Sequence, residues 1–116
     1  MLRFLGVRNL AVIERLEVEF ESGVNVLTGE TGAGKSVIVQ AVDLLVGTRA
    51  RADLVRTGED SATVQAVFER ADGRETIVRR EISAQGRSRA FIDDALATTS
   101  ALRDLGAALI DLHGQH

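Results

Sequence analysis

The stretch VNVLTGETGAGKSVIVQAVDLL, residues 24–45, decides how the chain is read. It opens with Val24 to Thr28, a short apolar run that fits a buried strand. It closes with a run in which Ile38, Ala41, Val42 and Leu45 fall at i, i+3, i+4 and i+7, the spacing of one helix face. The β-branched residues of that run argue weakly for a strand, but polar Gln40 and Asp43 decide for a helix, and Gly47 is the expected stop. Between strand and helix, Gly29-Glu30-Thr31-Gly32-Ala33-Gly34-Lys35-Ser36 satisfies G-x-x-x-x-G-K-[ST] at every fixed position.

That spacing has a chemical logic. A glycine-rich loop lets backbone N–H groups close on phosphate oxygens, and the helix that follows points its positive end at them. Lys35 adds a mobile cation between the β- and γ-phosphates, and Ser36 offers a hydroxyl to Mg²⁺. The competing reading is a structural glycine turn ahead of a helix; the strand before the motif and the helix after it favour phosphate binding. Gly29, Glu30, Thr31, Gly32, Ala33, Gly34, Lys35 and Ser36 are therefore the candidate nucleotide ligands, with ATP and Mg²⁺ as the expected cofactors. Lys35 is also the only lysine beside thirteen arginines, which marks its position as one of chemical need.

Outward from the motif, Leu2 to Leu10 reads as a first strand, and Leu16, Val18 and Phe20 alternate with Glu17 and Glu19 as a second with one wet face. Ser22-Gly23 reads as a turn. Thr48 to Ser61 reads as a loop carrying Arg49, Arg51 and Arg56. Three strands are expected over Thr63–Glu69, Glu75–Ile82 and Ser88–Asp93, with Asp72-Gly73 and Gln85-Gly86 as their turns. Ser100 is the expected cap of a helix presenting Leu102, Leu105 and Leu109, followed by a short strand near Ile110. The expectation is an α/β chain in which an antiparallel meander accompanies a phosphate-loop helix. A parallel nucleotide-binding core would need further strands, so the chain reads as one half of such a domain.

Composition narrows the function classes. Apolar residues are 45% and charged residues 27%, the balance of an ordinary soluble globular chain. A net charge of −3 offers no global basic surface to nucleic acid, so any DNA contact requires a local patch or other parts of the protein. The absence of cysteine excludes disulfides and thiolate metal sites and fits a reducing cytoplasm. No signal pattern follows Met1 and no apolar run reaches membrane-spanning length, so no membrane partner is expected. Phenylalanine is the only aromatic, with four copies and no stacking stripe, which argues against binding single strands through stacked bases. Arg79-Arg80 and Arg87-Arg89 alternate with enough acids, Glu75, Glu81, Asp93 and Asp94, to read as a mixed solvated surface. His113 and His116 lack an evident third ligand for a metal.

Hydrolysis asks for more than binding: a group to hold the attacking water and an acid on the magnesium shell. Two residues are candidates. Gln115 could touch both metal and water, while Asp111 follows Ala107-Ala108-Leu109-Ile110, an apolar run that reads as a Walker B-like strand. Pattern alone leaves both open.

Taken together, LRFLGVRNLAVI (residues 2–13), GETGAGKS, VIVQAVDLLVGTRA and the closing LHGQH resemble the RecN family of bacterial DNA-repair ATPases, within the structural-maintenance-of-chromosomes (SMC) group of ABC-type ATPases. The resemblance covers essentially the whole chain, and GTRA twelve residues after Lys35 together with HGQH makes it more specific than the phosphate loop alone. It implies a P-loop NTPase fold with a mixed and antiparallel sheet around the P-loop helix, and it makes residues 1–116 the N-terminal lobe of a split ATPase head. A coiled coil and a C-terminal lobe with signature motif, Walker B acid and switch histidine would complete the head; none of these motifs occurs here. The resemblance implies Walker A on Gly29 to Ser36 and the Q-loop on Gln115, which would meet magnesium with Ser36 and act in catalysis with Lys35. It makes Asp111 a strand residue and not the Walker B acid. Arg8 and Asn9 fall where relatives contact base or ribose, and Arg49 or Arg51 where relatives carry an arginine facing the dimer interface or DNA. It further implies as partners the C-terminal lobe, a second head and, for the intact protein, DNA, in a cytoplasmic, nucleoid-associated setting.

Two other classes remain at this stage. One is a self-contained small P-loop NTPase or kinase using Asp111 as metal acid; the other is an interaction module in which nucleotide is structural. The Q-loop role predicts that Gln115→Ala, placed in the complete head, modestly weakens magnesium-dependent binding or closure; unchanged turnover there would remove Gln115 from the mechanism.

Overall fold

The computed structural model describes residues 2–21, 24–25, 32–47 and 51–113, with side-chain surroundings for 2–20, 37–47 and 51–108. Alternating apolar and polar residues form strands β1 (Leu2–Leu10) and β2 (Ile13–Glu21), joined by the two-residue turn Ala11-Val12. β3 (Val24–Asn25) pairs with the end of β2. A meander follows: β4 (Ser61–Glu69), β5 (Glu75–Ser83), β6 (Ser88–Ile92) and β7 (Ala95–Ala97). Among the described residues these make one sheet in the order β3-β2-β1-β4-β5-β6-β7, with every pairing antiparallel.

Register aligns the apolar positions in rows across one face. Val18, Leu5, Ala66, Val78 and Ile92 form one row, and Leu16, Val7, Val64, Arg80 and Ala90 the next. Because side chains alternate with period two, a slip of one residue at any pairing would carry such a row to the solvent face. Helices α1 (Gly32–Leu45) and α2 (Thr99–His113) contribute the rest of this core. On α1 the fully buried residues are Val37, Ala41, Leu44 and Leu45. The expected face is thus turned slightly: Ala41 and Leu45 hold, whereas Ile38 and Val42 are half-buried at its margin. Gly47 ends the helix as expected, at φ 94°, with its N–H donating to the Leu44 carbonyl (3.2 Å).

The hairpin turns at Asp72-Gly73 and Gln85-Gly86 form as read, with φ of 87° and 90° at the glycines. A third tight turn went unread. Asp93 and Asp94 both take positive φ, 51° and 67°, and return the chain so that Ile92 faces Ala95 and β7 pairs with β6. Asp93 Oδ1 accepts the Ile77 N–H (2.9 Å) and the Asp93 N–H donates to the Ile77 carbonyl (2.8 Å), two bonds that hold the turn against β5.

The second helix corrects two expectations. Its cap is Thr98, not Ser100: Thr98 Oγ1 accepts the Ala101 N–H at 3.0 Å. The stretch Ala107 to Asp111 is helix and not strand, since α2 runs unbroken to His113. Alanine and leucine are strong helix formers, and Gly106 does not interrupt the helix because it serves packing. A Cβ on Gly106 would stand 2.8 Å from Val46 Cα, and one on Gly47 would stand 2.9 Å from Arg103 Cβ. The end of α1 and the middle of α2 therefore touch backbone to backbone, and Leu102, wholly buried, fills the core beside them. Ser22-Gly23 and residues 26–28 of the strand before the phosphate loop lie outside the described residues.

Gly106→Ala should destabilise the fold by about 1 kcal/mol, because forced overpacking against backbone outweighs the gain in helix propensity. A urea midpoint at or above that of the parent would contradict this packing.

Candidate functional site

Strand β3 leads toward the motif and α1 leads out of it. Gly29, Glu30 and Thr31 lie outside the described residues, while Gly32, Ala33, Gly34, Lys35 and Ser36 form the opening of α1. Two glycines in a helix's opening each cost about 1 kcal/mol of helix propensity relative to alanine. An acid in the first turn would stabilise a helix start, and this one has none. Its first four N–H groups have no partner within the helix, and no carboxylate of its own first turn offsets its positive end. Such an end suits a polyanion, so the backbone and composition fit the phosphates of a magnesium nucleotide.

The remaining sequence candidates fall in different places. Arg8 is exposed on β1, between Arg15 of β2 and Thr63 of β4, on the sheet face turned away from α1. It borders an open groove of about 480 Å³ on that face, with Phe4, Glu17 and Gln65. The groove and the start of α1 are on opposite sides of the sheet, so this groove is not the phosphate site. Asn9 sits at φ 55°, where asparagine is better tolerated than most residues. Its Nδ2 donates to Glu59 Oε1 (3.3 Å), and its carbonyl accepts the Arg56 N–H (2.8 Å). Beside it the Ala11 N–H donates to the Leu54 carbonyl (2.7 Å), so the β1–β2 hairpin is stitched to the segment that follows α1. Arg51 is exposed, precedes a short 3-10 turn (Ala52–Leu54) and pairs with Asp53 at 3.3 Å. Arg49, Gln115 and His116 lie outside the described residues.

Asp111 belongs to α2, so the premise of a strand ending in a metal acid fails. A Walker B acid acts from the end of a core strand, and no strand of the described sheet ends there.

The basic residues of the meander divide between the two sheet faces. On the outer face Arg79 pairs with Glu81 (3.5 Å) and Asp94 (4.0 Å) and lies 4.3 Å over the Phe91 ring, while Arg89 approaches Glu81 at 3.9 Å. This is the mixed network read from the sequence. Arg80 departs from that reading. It points inward, is 2% exposed, and stands in an otherwise apolar row. Its Nε donates to Ser88 Oγ (3.0 Å) and its Nη1 to the carbonyl of Leu44 in the last turn of α1 (2.9 Å). Burial lowers its pKa from arginine's ordinary value, but arginine titrates so far above neutrality that the group stays a cation. The signal in the sequence was parity: Arg80 shares its phase with Thr76, Val78 and Ile82, the buried set of β5.

The left-handed backbone at Asn9 predicts that Asn9→Ala lowers stability by about 1–2 kcal/mol, and Asn9→Gly by about half as much. Equal losses in thermal unfolding would place the cost in the carboxamide alone.

Comparison with known proteins agrees with this architecture. A family model described as an AAA domain matches residues 5–108. The DNA repair protein RecN of Bacillus subtilis is 41% identical over an alignment covering 100% of this chain and 23% of that protein. RecN of Vibrio cholerae is likewise 41% identical, over 100% of this chain and 24% of its own length. The chain thus spans about a quarter of the length of these relatives. A structure from work on ATP-driven dimerisation and DNA-stimulated activation of SMC ATPases superposes with a TM-score of 0.77 at 20% identity, covering 99% of this chain and 80% of that one. At that identity the likeness speaks for the fold: the chain has the fold of SMC-type, P-loop ATPase heads.

Proposed function

The chain belongs to the AAA-domain family, and from that premise we propose that it is the ATP- and Mg²⁺-binding lobe of a RecN-like ATPase head acting in DNA double-strand break repair and recombination. The observation that carries this reading is the full G-x-x-x-x-G-K-S motif opening α1, in a chain 41% identical to RecN along its whole length. In this reading Gly29 to Ser36 enclose the phosphates, with Lys35 between β and γ. Ser36 and Gln115 hold the metal, which supplies positive charge to the phosphate oxygens when bound. Gln115 also faces the attacking water, and of the two β1 candidates Asn9 borders the base or ribose, while Arg8, on the sheet face turned away from α1, stands apart from it.

Residues 1–116 would then be one lobe of a composite head. Two features support this. The described strands are all antiparallel, whereas a nucleotide-binding core uses parallel strands. Helix α1, apolar along most of its length, leaves Val39 61% exposed on its outward side, a surface that a second lobe would cover. The partners of the intact protein would be that lobe, a second head closing over the nucleotides, and DNA. No helix among the described residues is long and apolar enough to cross a membrane; a cytoplasmic, nucleoid-associated protein is the setting this function asks for.

Lys35→Ala should abolish Mg-ATP binding, read by calorimetric titration, while leaving the fold intact; unchanged affinity would sink the phosphate-loop assignment. Single-turnover hydrolysis with protein in excess tests the composite site. The expected outcome is Lys35-dependent binding without hydrolysis by the chain alone. Lys35-dependent hydrolysis would instead make the chain a self-contained NTPase.

A further inference from the structure

The mechanism above leaves Arg80 unused, and its setting is costly. A charged group in an apolar row adds stability only where its partners repay desolvation, and a hydrophobic residue of similar volume is often as stable or more so. Arg80 stands between Val64 and Ala90 with 2% exposure, so packing alone favours an aliphatic side chain there. Among its described contacts, arginine adds a rigid fork that reaches Ser88 on β6 and Leu44 on α1.

The second direction matters because of which helix it reaches. The last carbonyls of any helix lack intrahelical donors and carry its negative end. α1 has no basic residue in its own last turn. The Leu44 carbonyl receives the Gly47 N–H and the Arg80 guanidinium together. The sheet thus supplies the cation that the helix lacks, and it does so at the end opposite the phosphate motif.

Resting on the phosphate-loop reading, we propose that Arg80 is a positioning residue for the nucleotide: it fixes the direction of α1 by clamping its carboxyl end to β5 and β6. The helix is a lever. Fourteen residues span about 21 Å, so a tilt of about 3° about one end moves the other by about 1 Å. Displacement on that scale is enough to cost about a hundredfold where geometry is demanding. The opening of α1 carries two glycines and is weak in its own right. Its direction is therefore set by its buried flank, Val37 and Ala41, and at the far end by Arg80 and the close contact with α2 at Val46 and Gly47.

The test measures Mg-ATP affinity and thermal stability side by side in the full chain for the parent, Lys35→Ala, Arg80→Met, Arg80→Lys and Ser88→Ala. Arg80→Met keeps volume and removes the fork. The expected result is a loss of affinity of at least about tenfold with a melting temperature equal to or above that of the parent. A purely structural arginine would move both together or neither. Arg80→Lys should recover part of the affinity, since the charge returns without the fork. Arg80→Met with the parent's affinity overturns the proposal. If Arg80→Met does not fold, Ser88→Ala decides: it releases the fork on the sheet side and should weaken Mg-ATP about threefold, and unchanged affinity overturns the proposal equally. A parent that binds no better than Lys35→Ala removes the phosphate-loop reading, and this inference with it.

Discussion

In the proposed reading the amino end of α1 stays open to phosphate, and that constraint orders what surrounds it. A helix that offers its first N–H groups to a ligand cannot also commit them to internal bonds. Its stability has to come from its flank and from its other terminus. The flank is the apolar face of the antiparallel sheet, where Val37, Ala41, Leu44 and Leu45 meet rows set by strand register. The other terminus is closed by Gly47 in the left-handed region, by backbone-close contact with α2, and by a buried guanidinium. The described anchors at the carboxyl end leave the amino end to the proposed chemistry.

What could be read from residues alone follows the range of the interactions involved. The phosphate motif is contiguous, so it was legible at once. Strands β4, β5 and β6 were legible because they alternate and because Asp72-Gly73 and Gln85-Gly86 supply local turn chemistry. β7 was missed because its turn, Asp93-Asp94, lacks the glycine that usually marks a tight hairpin; two aspartates take the left-handed backbone instead. The end of α2 was misread because four apolar residues before an aspartate suit a buried strand as well as a helix. Helix propensity of alanine and leucine together with the close contact of Gly106 with Val46, a tertiary fact, decides between them.

Arg80 shows the limit most clearly. In sequence it stands beside Arg79 among acids and looks like surface. Strand parity alone places the two on opposite faces, and no local rule says that a buried arginine will find a helix carbonyl 36 residues away. The outer-face network of Arg79, Glu81, Asp94 and Arg89 is loose, at 3.5–4.0 Å, and its peripheral members Asp94 and Arg89 are exposed, so those pairs contribute little to stability. The inward neighbour is charge in a core, where each bond carries more weight.

The register between β1 and β4 has a consequence for how the chain reaches this state. β4 through β7 are joined by short turns, as are β1 and β2, so each group closes only small loops. The pairing that unites the two groups runs from Leu2 with Phe68 to Arg8 with Thr63, across more than fifty intervening residues that include all of α1. Loop-closure entropy makes that seam the late and slow event of folding. The segment that carries the G-x-x-x-x-G-K-S motif thus lies inside the longest loop that the described sheet has to close.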